Sequence, residues 1–333
     1  MIKKIFKIAT YFLIGLIILV VSLLAYFNFP FAPEKEADFG VTFSKRYAGE
    51  LGLDWRETYL AILDDLGVKK IRIPAYWDEI EKEEGVYDFR ELDWQIDEAE
   101  KRNVEVILAV GQKVPRWPEC FIPEWGKNDD AKRKARLLYF VQETIERYRH
   151  SPAIRYWQVE NEPFLPFGNC PELDENLLDL EIDLARKLDP SRPVIITDSG
   201  ELSFWIPAAS RADVFGTTMY LKIWSKNVGY FTYPIGPRFF HFKKKLVDIF
   251  SGKREIINVE LQAEPWIEGA TWDKTLEEQL GAMNIDQFKK NLVFAKKAGF
   301  SPIYLWGAEW WYYLKIKNGY PLFWEEAKKI FHP

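Results

Sequence analysis

Two short stretches carry ionisable side chains where a buried strand should end. Ile154-Arg155-Tyr156-Trp157-Gln158-Val159 reads as a strand and runs into Glu160-Asn161-Glu162-Pro163, and Ile256-Ile257-Asn258-Val259 runs into Glu260. A carboxyl group at such a place is costly to desolvate unless it is paired or opens on a solvated cleft. Glu162 and Glu260 are therefore the candidate catalytic carboxylates. Strand alternation turns Glu160 away and makes it a structural partner. Glu264 shares the strand parity of Glu260, but Pro265 ends the strand there. Glu264 is thus the replacement nucleophile if the register differs, and Glu309 is a second decoy. Two cysteines, Cys120 and Cys170, and three scattered histidines, His150, His241 and His332, supply no zinc spacing. No metal and no cofactor is expected.

These residues need elements to position them. After residue 37, short β-rich runs alternate with amphipathic stretches, which implies a parallel sheet of βα units. Strands are predicted over Phe39 to Phe43, Lys70 to Pro74, Val104 to Val110, Ile154 to Val159, Pro193 to Asp198, Val214 to Tyr220, Glu255 to Glu260 and Pro302 to Trp306. Helices are predicted over Trp55 to Leu66, Glu91 to Arg102, Ala131 to Arg149, Glu172 to Leu188, Pro237 to Phe250 and Asp286 to Ala298, with Gly67, Asn103 and Gly299 as stop signals. Eight such units fit an α/β fold of the (β/α)8 TIM-barrel kind, in which function gathers at the carboxyl ends of the strands. The competing fold is a doubly wound open sheet, against which no strand runs into a glycine-rich phosphate turn.

Four segments are read: a basic end over 1–7, a transmembrane anchor over 8–27, a tether over 28–37 and the barrel over 38–333. Ile8 to Phe27 is uncharged, and about twenty residues at 1.5 Å each match a hydrocarbon core of about 30 Å. Lys3, Lys4 and Lys7 before it assign the barrel to the outer side. The competing reading is a cleaved signal peptide, whose apolar core is normally shorter and followed by small residues. Ser22 to Phe31 is crowded with Leu, Tyr and Phe, which favours a retained single-pass anchor. The net charge of −5, with both signs interleaved, leaves no positive field for nucleic acid.

The strand ends resemble those of clan A glycoside hydrolases, the superfamily of cellulases, β-galactosidases, β-mannanases and β-xylosidases. Asn161-Glu162-Pro163 is similar to the clan's strand-four motif and Ile257-Asn258-Val259-Glu260 to its strand-seven nucleophile segment. Arg72-Ile73-Pro74, the run Gly85-Val86-Tyr87-Asp88-Phe89 and Trp306 add to the likeness, which covers nearly all of residues 38 to 333. The resemblance implies a retaining hydrolase of β-linked glycosides that works by double displacement, with Glu260 as nucleophile and Glu162 as acid and base. It also implies that Asn161 holds the sugar's 2-hydroxyl, that Arg72 and Tyr220 orient Glu260, and that Trp306 stacks on the sugar. The substrate expected is an oligo- or polysaccharide.

The likeness weakens where cellulase-type members carry histidines. Thr218 and the Val110-Gly111-Gln112 segment stand there instead, and Gln112 is expected to take over a sugar contact. The aromatic stretches Tyr220 to Tyr233 and Trp266 to Trp272 are read as loops that either wall subsites or pack on themselves. Cys120 and Cys170 follow the third and fourth strands, and an extracytoplasmic barrel would join them as a disulfide. A non-catalytic carbohydrate-binding barrel and a transglycosidase remain as alternative functions.

Overall fold

The alternating runs close on themselves. In the computed structural model, which describes residues 2–29 and 33–332, ten strands occur. They are β1 (Phe39–Thr42), β2 (Lys70–Pro74), β3 (Glu105–Val110), β4 (Ile154–Val159), β5 (Val194–Asp198), β6 (Val214–Met219), β7 (Lys222–Ser225), β8 (Gly229–Thr232), β9 (Glu255–Gln262) and β10 (Ile303–Trp306). Eight of them form a closed parallel barrel in the order β1-β10-β9-β6-β5-β4-β3-β2. Because both faces of a parallel strand are covered, the sequence signal is a continuous apolar run rather than alternation; β2, β5 and β6 are buried along nearly their whole lengths.

Two apolar layers result. Ile107, Tyr156, Ile195, Val214, Ile257, Val259 and Tyr304 form a cluster contributed by six strands, which is the filled interior expected of such a barrel. A larger core lies between strands and helices. The predicted stop signals Gly67, Asn103 and Gly299 all take left-handed backbone, at φ 70, 54 and 72°, where a helix cannot continue. Asp54, Asp129 and Asp174 cap the helices that follow them by accepting backbone N–H bonds.

Three expectations need correction. The stretch Tyr220 to Tyr233 is not an open loop: β7 and β8 pair in it as an antiparallel hairpin, with all four residues of β7 half-buried. The helix expected over Trp55 to Leu66 is α-helical over Trp55–Leu60 and then turns as a π-helix over Ala61–Asp65. Helices also form over Leu276–Ala282, Ala308–Lys317 and Leu322–Phe331, the last two in aromatic-rich sequence that hides a helical period.

At the amino end, Ile2–Asn28 is one helix. Its stretch Phe6–Asn28, whose most apolar part reaches a mean hydropathy of 2.7, is long and apolar enough to cross a membrane, as either an anchor or a signal segment would be. The expected tether at 28–37 lies partly outside the described residues.

Candidate active site

Glu260 reaches the barrel interior through an irregularity. Ile257 and Val259 both belong to the interior cluster, so strict alternation would turn Glu260 outward. The register of β9 against β6 slips between Thr217↔Asn258 and Thr218↔Glu260, and against β10 between Ile303 and Leu305. A bulge of this kind adds one residue and re-aims the next side chain. Glu260 then points to Arg72, which is fully buried (0% exposed) on β2.

Arg72 holds three groups at once. Its Nη1 donates to Glu260 Oε1 at 2.6 Å, Nη2 to Asn161 Oδ1 at 2.7 Å and Nε to Gln158 Oε1 at 2.7 Å. The planar guanidinium suits such a fork, where a lysine would offer one point charge. Tyr220 donates its hydroxyl to Glu260 Oε2 at 2.7 Å. Burial, and then the Glu260 charge, hold the Tyr220 phenol well above its ordinary value, so it keeps the proton it donates.

Glu162 is set differently. Glu160 and Glu162 take left-handed backbone at φ 56 and 43°, a conformation that costs a non-glycine residue about 1 kcal/mol or more. Surrounding bonds hold the turn. Glu160 accepts from the amides of Gln112 at 2.8 Å and Lys113 at 2.7 Å, which is the structural partnership expected of it. Glu162 donates its amide to Thr197 Oγ1 at 2.8 Å, and its carboxyl accepts from Thr218 Oγ1 at 3.0 Å. Thr218, at a position where cellulase-type members carry histidine, thus binds the Glu162 carboxyl. Burial pushes Glu162 well above the usual carboxylate range, reinforced by the charges of Glu260, Glu119 and Asp198 and opposed by Lys113.

Glu119 is a member of the site that the sequence reading missed. It sits in the irregular segment after β3 at φ 74°, and its Oε2 accepts from Asn161 Nδ2 at 2.9 Å. Burial and then the Glu260 charge push it up to about 7. Asn161, expected to serve a sugar hydroxyl, therefore spans from Arg72 to Glu119. The Cys120–Cys170 disulfide ties this segment to the loop after β4.

Arg116, from the same segment, was also missed. It passes Tyr76, whose hydroxyl donates to the Pro115 carbonyl at 3.3 Å, and inserts its guanidinium between the rings of Tyr47 and Trp306 at 3.8 and 4.1 Å. There it pairs with Glu264 and, at 3.3 Å, with Glu309. Both decoy carboxylates are thereby engaged away from Arg72. No periodicity marks Arg116 or Glu119 in the sequence; the adjacent Cys120 is the signal that could have drawn attention to them.

The expected site residues Arg72, Asn161, Glu162, Tyr220 and Glu260 converge. Trp306 stands beside them, 6.4 Å ring to ring from Tyr220, with one face covered by Arg116. Tyr220 also packs edge-on against Trp266 at 5.1 Å. Gln112 is placed elsewhere: its side-chain oxygen accepts from Arg133, and it lines a cavity of about 350 Å³ with Glu160, Cys170 and Glu181. No His, Cys, Asp and Glu grouping suited to a metal occurs among the described residues.

A parallel barrel with this convergence at its carboxyl ends resembles the clan A glycoside hydrolase barrels, and the comparisons with known proteins point the same way. A family model described as beta-galactosidase (Glyco_hydro_42) matches residues 54–138. The chain is 26% identical over 167 residues to Beta-galactosidase BgaA of Clostridium cellulovorans, covering 43% of this chain and 25% of that protein. It thus spans about a quarter of the length of that curated relative. Among solved structures, a polyextremophilic β-galactosidase from the haloarchaeon Halorubrum lacusprofundi gives a TM-score of 0.51 at 17% identity, covering 81% of this chain and 52% of the other. A GH5_18 protein from Bifidobacterium longum subsp. longum gives 0.57 at 14% identity, covering 81% and 69%. At such identities the structural likeness speaks for the fold.

Proposed function

We propose that the chain is a retaining glycosidase of β-linked substrates in which Glu260 is the nucleophile and Glu162 the acid and base. The observation that carries this reading is the asymmetry of the two carboxyl environments. Glu260 is held by a guanidinium and a phenol, each donating to one of its oxygens. Glu162 is buried among negative charges that favour the protonated form. Two carboxyl groups with opposed environments divide into nucleophile and acid.

In the first step a Glu260 oxygen attacks the anomeric carbon, the bond to the leaving oxygen breaks, and the Glu162 proton passes to that oxygen. The ester on Glu260 removes the charge that raised Glu162. Glu162 can then take a proton from water, whose oxygen attacks the anomeric carbon and releases Glu260. Asn161 and Trp306 border the position of the sugar. Relatives named β-galactosidases make a β-galactoside the first substrate to test. The apolar helix, read as an anchor, would hold the barrel outside the membrane; recovery of a mature chain beginning near Asn28 would show a signal peptide instead.

Mutants of the two carboxylates test the assignment on activated aryl β-glycosides. Glu260→Ala should abolish formation of the glycosyl-enzyme. Glu162→Ala should retain the first step and slow the second, with azide restoring turnover as a β-glycosyl azide. A 2-fluoro glycoside should label Glu260; label on Glu264 would move the nucleophile. Unchanged sugar binding without turnover, label or rescue would support a binding barrel, and transfer to added sugars in preference to water would support a transglycosidase.

A further inference from the structure

One flank of the barrel has the surface of a lipid-facing element. Helices on the outside of such a barrel ordinarily turn charge to solvent, as Arg90–Lys101 does with Arg90, Glu91, Asp97, Glu100 and Lys101 exposed. The helix Pro237–Phe250 differs. Its exposed positions include Phe242, Ile249 (71% exposed) and Phe250 (67%), with Lys245 between them on the same stripe. The loop after β5 exposes Leu202 and Phe204 (83%), and the β7–β8 hairpin that precedes the helix in the chain exposes Val228 and Tyr230. The loop and the helix are joined, since Lys243 Nζ donates to the Gly200 carbonyl at 2.6 Å and lies over the Trp205 ring. Singly exposed apolar residues need no explanation, but a contiguous set marks a binding surface.

The long apolar helix ends on this same flank. The Phe27 ring meets Phe239 at 5.4 Å and Phe242 at 5.8 Å, and Asn28 Nδ2 donates to the Pro234 carbonyl at 2.9 Å. The guanidinium of Arg238 lies over Tyr26 and Phe29, 5.1 Å from each ring. A span whose last turn is seated on the barrel leaves no slack, so the headgroup layer must lie against the residues around that seat. The charge fits as well. Between Lys226 and Arg254 the sequence carries Lys244, Lys245 and Lys253 among its basic residues and a single acid, Asp248, which pairs with Lys244. An apolar stripe flanked by lysines is the pattern of a helix lying in a lipid interface.

We propose that the flank formed by helix Pro237–Phe250, the Leu202–Phe204 loop and the β7–β8 hairpin rests on the lipid surface, beyond the contact made by the spanning helix; this rests on retention of that helix. The helix returns from the carboxyl end of β6 to the start of β9, so its length runs along the barrel axis. Docking this flank therefore lays the barrel on its side. The mouth with Glu162 and Glu260 then opens laterally along the membrane rather than away from it, toward glycans displayed at the surface.

The two native cysteines are joined, so introduced cysteines in the full chain can be labelled selectively with an environment-sensitive thiol dye. Phe204→Cys, Phe250→Cys, Glu100→Cys on the helix with the charged outer face and Leu16→Cys within the span are reconstituted in vesicles of phosphatidylcholine and phosphatidylglycerol. Nitroxide-bearing lipids should quench the labels at 16, 204 and 250 several-fold more strongly than the label at 100. Quenching at 16 with 204 and 250 matching 100 overturns the docking while leaving the anchor intact. No quenching at 16 overturns the anchor and the docking with it. Labels at 204 and 250 that are shielded from aqueous iodide yet untouched by lipid nitroxides would assign the flank to a second copy of the chain and overturn the proposal.

Discussion

Replacing Arg72 with methionine tests the centre of the site, because that side chain ties β2, β4 and β9 together. Removing one partner of a buried ion pair costs about 3–5 kcal/mol. The hydrogen bonds to Gln158 and Asn161 add about 1 kcal/mol each. Arg72→Met should therefore cost roughly 5–7 kcal/mol, which at about 2–4 °C per kcal/mol for a large domain lowers Tm by roughly 10–28 °C. The Glu260 carboxylate also loses its principal partner, and a loss of about 3 kcal/mol in the transition state lowers kcat/KM by about 150-fold. Thermal unfolding in a double-mutant cycle separates charge from packing. With Glu260→Gln in place, Arg72→Met strands no anion, so its penalty should shrink by about 3 kcal/mol. An equal penalty in both backgrounds would mean that Arg72 acts as a packing element and that the ion pair does not organise Glu260.

Two further outcomes follow from the loop after β3. The Glu119 charge helps to raise Glu162, so Glu119→Gln should let Glu162 lose its proton at lower pH and move the basic limb of the kcat/KM profile downward; an unmoved or upward-shifted limb would remove Glu119 from the electrostatics of the acid. The Cys120–Cys170 link closes a loop with a sequence separation of 50, for which the chain-entropy model gives about 4 kcal/mol. The Cys120→Ser, Cys170→Ser double mutant should unfold at lower denaturant by a corresponding amount, and non-reducing peptide mapping that finds both thiols free in the native chain would refute the link.

Sequence alone was most legible where burial is uniform. The limits of β2 and β4, Lys70–Pro74 and Ile154–Val159, coincide with the predicted ones; every position in them but Lys70 and Arg155 is buried. Glu162 and Glu260 stood out because a carboxyl group at the end of such a run conflicts with its surroundings. What escaped notice has local or long-range causes. Arg116 and Glu119 lie in irregular backbone at φ 93 and 74°, where no period links a residue to a face. The aim of Glu260 depends on a register slip against both neighbouring strands, which no one-dimensional pattern encodes. Gln112 shows how little a position at the end of strand three says about a side chain's partner: its amide oxygen accepts from Arg133.

The closing pair of the barrel also orders its assembly in time. β1 is hydrogen-bonded to β10 as well as to β2, so the first barrel strand to be synthesised waits for the last before its second edge is satisfied. During that interval Phe39–Thr42 and the growing rim are open to pairing with other chains. Cys120 and Cys170 both emerge in the first part of the barrel, so their link can form while the sheet is still open. A chain truncated before Ile303 would thus be no smaller enzyme but a curved sheet with two free edges, and its fate would be aggregation rather than reduced activity.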